Sequence, residues 1–200
     1  MNKEILSQGI YSYKNVFQDS FSFVEKIEAL SNDLKLMWVP SFKKDTPEDD
    51  RKKAFRNVDT IGLPLRNKVL DYSKLESEPN KTLVSFSDKL NEEFSPYIND
   101  YLNDYGITVS DQEPYGLLRY GNGQKFDRHI DDGMMFVRKL SLVYYVNDEY
   151  KGGEIFFDQF NLTIKPEKNQ LLLFPSNYIY THSISEVTEG LRYSIVSWFK

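Results

Sequence analysis

The chain of 200 residues contains no cysteine. That single absence excludes disulfides, thiol nucleophiles, cysteine-ligated zinc and iron–sulfur clusters together. Histidine is almost as scarce. His129 and His182 are the only two, so a metal held through imidazole must use them. No stretch approaches the roughly 18 consecutive apolar residues that a membrane helix needs. The first residues, MNKEILSQGIYSYKNV, lack the apolar centre of a secretory signal. The expectation is a cytoplasmic protein with no membrane segment. Positive charge is in deficit as well: 25 basic against 30 acidic residues give a net charge of −5. Such a chain gains no long-range attraction to phosphate backbones, which disfavours nucleic acid as a partner.

What remains is ordinary for a folded domain. Hydrophobic residues make up 40% and charged residues 28% of the chain, and 14 Tyr with 14 Phe can fill a large interior. The length suits one well-buried domain. Its pattern changes near Gly106. Residues 1–107 read as a mostly helical region packed on a core. Phe21, Val24, Ile27 and Leu30 suggest a first helix through FSFVEKIEALSNDLKL. Leu83, Phe86, Leu90, Phe94 and Tyr97 suggest a second over Lys81–Tyr105, with Gly106 as its stop. The charged run from Lys43 to Asn57 reads as a surface loop or an exposed short helix. Residues 108–200 break into short β-branched and aromatic segments separated by Gly, Asn, Asp and Pro. Strands are expected near 115–120, 126–131, 137–146, 153–158, 160–165, 170–174, 179–187 and 191–199. That many short strands argue for a sandwich or jelly roll rather than a parallel sheet.

Chemistry concentrates in this second part. His129 and Asp131 stand two apart, and on a strand residues i and i+2 point to one face. An imidazole and a carboxylate would therefore sit side by side. His182, 53 positions downstream in an apparent strand, can supply a third ligand. Two histidines and one carboxylate with open positions suit iron(II) that must also bind a co-substrate and oxygen. Zinc on the same ligands is the chemical alternative.

RYGNGQKFDRHID (Arg119–Asp131) resembles the segment that carries the iron-binding H-x-D of the prolyl-4-hydroxylase-like 2-oxoglutarate/Fe(II) oxygenases. YYVNDEYKGGEIFF, LLLFPS and THSISEVTEGLRYSIVSWF resemble further blocks of that family in its own order, together spanning roughly 115–199. The resemblance implies an α+β protein with a double-stranded β-helix (jelly-roll) core and helices on its outside. It also implies a dioxygenase that consumes O2 and 2-oxoglutarate, releases succinate and CO2, and hydroxylates its substrate, with ascorbate as an accessory reductant. His129, Asp131 and His182 match the metal ligands. Arg192, ten positions after His182, matches the basic residue that binds the distal carboxylate of 2-oxoglutarate. A planar guanidinium fits a carboxylate with two hydrogen bonds. Tyr120 and Tyr145 match tyrosines that contact the same co-substrate, and Ser194 could face the same pocket. Because related halogenases lack the carboxylate ligand, Asp131 argues against halogenation. Nucleobase demethylases place a second arginine six positions after the first, where this chain has Trp198. The expected substrate is a peptidyl, prolyl-like residue; a free amino acid or other small molecule is the alternative, and a non-catalytic jelly-roll module the outsider. Asp132, Arg119, Arg128 and Arg138 flank the site in sequence as candidate substrate contacts. Gly152–Gly153 reads as a hairpin turn and Trp198 as packing.

Overall fold

The segments LSLVYY, QLLLFP and RYSIVSWF carry apolar residues on both faces rather than alternating. That is the pattern of a strand covered on both sides. In the computed structural model, which describes residues 1–17, 28–29, 32, 38–41, 47, 49–50, 54–68, 78–133 and 137–200, these three lie in the middle of a large sheet.

In chain order the elements are β1 (Asn2–Ser7), β2 (Ile10–Lys14), β3 (Val39–Pro40), β4 (Asp59–Leu63) and helix α1 (Glu78–Tyr105). Then come β5 (Tyr115–Tyr120), β6 (Phe126–His129), β7 (Leu140–Tyr145), β8 (Lys151–Gly152) and β9 (Ile155–Phe157). The last are β10 (Leu162–Ile164), β11 (Gln170–Pro175), β12 (His182–Ile184), β13 (Val187–Glu189) and β14 (Arg192–Phe199). The major sheet runs β1-β2-β11-β7-β14-β5-β4-β3, the minor sheet β10-β9-β12-β6, and β13 pairs with β8 alone. Every described pairing is antiparallel. This is the expected double-stranded β-helix: two sheets stacked face to face with a shared interior.

Alternation along the central strands separates two cores. On one face of the major sheet Leu140, Leu142, Tyr144, Ile195 and Leu171 pack under α1 through Leu83, Leu90, Phe94, Ile98 and Tyr101. Burying each such helix side chain contributes about 1.5–3 kcal/mol. On the other face Val143, Tyr145, Leu118, Tyr120 and Val196 meet Ile155, Phe157 and Ile184 of the minor sheet. The helix ends where expected. Gly106 (φ 59°) takes the left-handed conformation, and Ile107 N–H bonds to Leu102 O at 3.1 Å while Gly106 N–H bonds to Asn103 O at 3.2 Å, which satisfies the last carbonyls.

Residues 1–107 contribute, beside α1, the strands β1–β4, which extend the major sheet on both sides. Three expectations need correction. The strand expected over 126–131 stops at His129, and the segment 179–187 divides into a 3-10 turn (Tyr178–Tyr180), β12 and β13. Gly152–Gly153 is no simple hairpin turn; it carries the chain from β8, paired with β13, into β9 of the minor sheet. The first expected helix lies outside the described residues apart from Glu28, Ala29 and Asn32, all helical.

Candidate active site

A cavity of about 410 Å³ opens between the two sheets. The minor sheet brings His129 and His182 to it as a cross-strand pair. Asp131, just past the end of β6, completes a group whose ligand atoms all lie within 4.8 Å of one another. Nε2 of His129 is 3.7 Å from Asp131 Oδ1, and Nε2 of His182 is 3.9 Å from Oδ2. Each imidazole is tied at Nδ1 to the carbonyl two residues before it: His129 to Asp127 O at 2.8 Å and His182 to Tyr180 O at 3.0 Å. A ring that donates from Nδ1 presents the lone pair of Nε2, which is the form a metal ligand needs. The geometry is therefore a donor set of two imidazoles and one carboxylate.

Because Asp131 lies outside the strand, other groups fix it. Ser141 Oγ donates to Oδ2 at 2.7 Å and pairs with Ser176 Oγ at 2.8 Å. Arg138 Nη1 donates to the Asp131 carbonyl at 2.9 Å, and Asp132 N–H bonds to Ser176 O at 2.9 Å. Burial alone would raise the Asp131 carboxyl. His182 and then His129 outweigh it, with help from Ser141 and Trp198, and hold it below the usual carboxylate range. His129 is pushed down to about 4, by burial first and by the neighbouring His182 second. Both shifts favour the deprotonated ligands.

The major sheet supplies the other wall. Arg192 opens β14 opposite Tyr120 of β5, and Ser194 stands opposite Tyr145 of β7. The Arg192 side chain lines the cavity yet is only 1% exposed. Its Nε donates to Gly153 O at 3.0 Å and its Nη1 to Ser194 Oγ at 3.1 Å. The guanidinium carbon lies 4.9 Å from the Tyr120 ring centre and 5.2 Å from that of Tyr145. Two of the five guanidinium N–H groups make these bonds, and among the described residues no carboxylate pairs with it. Beside it, the hydroxyls of Tyr145 and Tyr150 are buried without a hydrogen-bond partner. Burial raises both phenols, partly offset by the Arg192 charge, so both keep a proton to donate. A buried cation with spare donors, next to two protonated hydroxyls lacking acceptors, is the complement of a carboxylate.

Gly153 makes this corner possible. With φ at 69°, its Cα faces Arg192 so closely that a Cβ there would stand 2.7 Å from Arg192 Cδ.

The flanking charges fall into different roles. Arg138 is clamped by Glu113 through Nε (2.9 Å) and Nη2 (2.6 Å) and lies over the Trp198 ring at 3.9 Å. Arg119 pairs with Asp59 and Arg128 with Asp158. Asp132 Oδ1 accepts from the backbone N–H groups of Gly133 and Arg138. Sequence reasoning does not single out Tyr150, Ser141, Arg56 or Phe126, whose ring stacks on His129 at 3.6 Å. Phe126 and Tyr150 lie inside the family-like blocks, whereas Ser141 and Arg56 carry no spacing signal.

Comparison with known proteins now gives this geometry a context. A family model described as the 2OG-Fe(II) oxygenase superfamily matches residues 115–200, which hold all three triad residues and Arg192. Residues 115–200 are thus similar to the 2OG-Fe(II) oxygenase superfamily. A PKHD-type hydroxylase of Prochlorococcus marinus (strain MIT 9215) is 33% identical over 84 residues, 39% of this chain and 37% of that protein. Human prolyl 3-hydroxylase 2 is 31% identical over 67 residues, 31% of this chain and 10% of that protein. The chain thus spans well under half the length of these relatives. In three dimensions, the viral collagen prolyl hydroxylase vCPH of Paramecium Bursaria Chlorella virus-1, solved as a 2OG complex, superposes with a TM-score of 0.66 at 18% identity, covering 96% of this chain and 95% of that one. A prolyl hydroxylase of Trichoplax adhaerens, in complex with a hypoxia inducible factor peptide fragment, gives 0.64 at 20% identity, covering 96% and 84%. At these identities the superpositions establish the fold. Among the described residues no helix is long and apolar enough to cross a membrane.

Proposed function

We infer that this chain is a 2-oxoglutarate- and Fe(II)-dependent dioxygenase that hydroxylates a prolyl-like residue of a peptide and releases succinate and CO2. The observation that carries the reading is Arg192, a buried cation without a carboxylate partner among the described residues, sharing one cavity with a two-histidine, one-carboxylate cluster. A single keto diacid answers both halves, chelating a metal at one end and pairing with a guanidinium at the other.

The residues present fit both groups. His129, Asp131 and His182 would hold the metal, and Arg192, with Tyr145 and Tyr120 at its side, would hold the distal carboxylate. Iron(II), when bound, supplies the activation of O2, with ascorbate as an accessory reductant. The chain's own part is positional. The Nδ1 bonds to Asp127 O and Tyr180 O aim both imidazoles, Ser141 and Arg138 fix the carboxylate, and the apolar walls Leu118, Val143, Ile155, Ile184 and Val196 exclude water. The prolyl part of the proposal draws on the relatives, which are named prolyl hydroxylases, and its peptide part on the neighbour that holds a peptide fragment.

The test is an anaerobic titration of 2-oxoglutarate into the Fe(II)-loaded protein, followed by visible absorbance. Chelation by the keto acid should give a weak metal-to-ligand charge-transfer band that His182→Ala lacks. A folded, iron-loaded protein without the band would remove the 2-oxoglutarate assignment and favour a zinc or non-catalytic site.

A further inference from the structure

The cavity holds several charged groups, and all but one of them are accounted for. Asp131 faces the two imidazoles, Arg138 is paired with Glu113, and Arg192 faces the co-substrate corner. The remaining one is Arg56. It lines the same cavity with an exposed side chain, and among the described residues no carboxylate lies within ion-pair distance of it. An arginine at this place with no carboxylate partner among the described residues is informative in an acidic chain.

Arg56 is also held in position. Its backbone forms a β-bridge with Phe126, and its neighbours are stitched to the same strand, Asp127 N–H to Phe55 O at 2.8 Å and Asn57 N–H to Lys125 O at 2.9 Å. Its guanidinium carbon lies 5.3 Å from the centre of the Phe126 ring, and that ring stacks on His129. The exposed Phe55 ring closes the cluster, edge-on to Phe126 at 5.5 Å. An arginine resting on an aromatic ring keeps its edge free for hydrogen bonding and gives up little further freedom when an anion arrives.

We propose that Arg56 is a substrate-selecting residue, and that the substrate carries a carboxylate close to the carbon that is oxidised. The proposal rests on the dioxygenase reading and adds to it the charge of the substrate. In a peptide the carboxylate belongs to an Asp or Glu beside the target residue; in a free amino acid it is the α-carboxylate.

The experiment uses the full chain loaded with Fe(II) and 2-oxoglutarate under nitrogen, so that binding is read without turnover. Fluorescein-labelled short peptides with one proline, flanked by Glu, Gln or Lys, are compared by anisotropy. L-Proline and L-prolinamide are compared by calorimetry. The proposal expects the Glu-flanked peptide to bind about tenfold tighter than its Gln twin, as a charge-assisted hydrogen bond allows. Arg56→Gln should erase that preference, Arg56→Lys should keep part of it, and Arg56→Glu should turn it toward the Lys-flanked peptide, a reversal that a structural defect cannot produce. A preference confined to proline over prolinamide, and lost in Arg56→Gln, upholds the anion subsite and assigns the carboxylate to a free amino acid. If neither pair is discriminated, or Arg56→Gln keeps the wild-type preference, the proposal is overturned. The charge-transfer band, read on the same samples, reports separately whether the metal and co-substrate reading stands.

Discussion

Replacing Arg192 by methionine tests the co-substrate corner most directly. Two of its five N–H groups bond to Gly153 and Ser194, and a carboxylate can accept two of the others at once. Each charge-assisted hydrogen bond contributes about 1.5–3 kcal/mol, so the pair is worth about 3–6 kcal/mol. The hydroxyls of Tyr145 and Tyr150 remain in the variant and recover part of this, which places the expected loss of 2-oxoglutarate affinity near the lower end, about 100-fold. Arg192→Lys keeps the charge but loses the fork, and should fall about tenfold. Anaerobic titration of the charge-transfer band gives the affinities. Thermal unfolding checks them independently: 2-oxoglutarate at about 100 times its dissociation constant stabilises the wild type by about 2.7 kcal/mol, and the methionine variant at the same concentration should gain little. Metal affinity should hold, because the Arg192 hydrogen bonds go to Gly153 and Ser194 and not to the triad. An apparent 2-oxoglutarate affinity within about threefold of wild type in Arg192→Met would falsify the carboxylate assignment, since one lost hydrogen bond alone exceeds that.

Three further outcomes follow from particular contacts. Ser141→Ala removes the hydroxyl that donates to Asp131 Oδ2, and should weaken metal binding by about 10–100-fold in calorimetry while the fold stays intact; unchanged affinity would show that Asp131 needs no such support. Gly153→Ala places a Cβ 2.7 Å from Arg192 Cδ on a backbone with positive φ. It should cost about 1–3 kcal/mol in denaturant unfolding and weaken 2-oxoglutarate binding as well; a variant as stable as wild type would mean the corner has slack. The metal-free protein, kept with a chelator, should lose stability as pH falls. His129 is held down to about 4 in the fold against about 6.5 when unfolded, so the unfolded chain binds more protons between those values. Its contribution is fully present above pH 6.5 and is lost on descending toward 4, and the lowered Asp131 carboxyl acts in the same sense at lower pH. Stability that stays level across this window, or the same slope in His129→Asn, would rule out His129 as the origin of the pH dependence.

The second half of the chain is legible in the sequence because its signals are local. The pattern of β-branched and aromatic residues places β5 at its observed bounds, Tyr115–Tyr120, and the pairing of His129 with His182 agrees with two strands expected side by side. Tyr145 does share a face with Val143, opposite Tyr144, since strand alternation is fixed by backbone geometry. The first half is less legible for a physical reason. NKEILS and DTIGL are short and mixed in polarity, and they form strands because they add to an existing sheet edge, which is a tertiary effect that local pattern does not carry. Arg56 illustrates the same limit. Within a charged run it reads as solvated surface, and only the bridge to Phe126 turns it toward the cavity.

That placement shows how the two halves depend on each other. Residues 115–200 contain the triad and Arg192, but β5 and β11 would be sheet edges without β4 and β2 beside them, and unpaired edges are exposed to wrong pairing. The dependence reaches the candidate metal ligands themselves. The carbonyl that orients His129 belongs to Asp127, whose own N–H is held by Phe55 O. The carbonyl that orients His182 belongs to Tyr180, whose hydroxyl is held by Gln8 O at 3.1 Å, at the tip of the β1–β2 hairpin. That tip is in turn pinned to α1, where Tyr101 donates to Gly9 O and Gly9 N–H to the Tyr105 hydroxyl, both at 3.0 Å. Both imidazoles are therefore aimed through residues anchored to the first 63 positions. The segment that the family pattern covers carries the triad and Arg192, and the segment it does not cover helps to orient the two imidazoles and places Arg56 beside them.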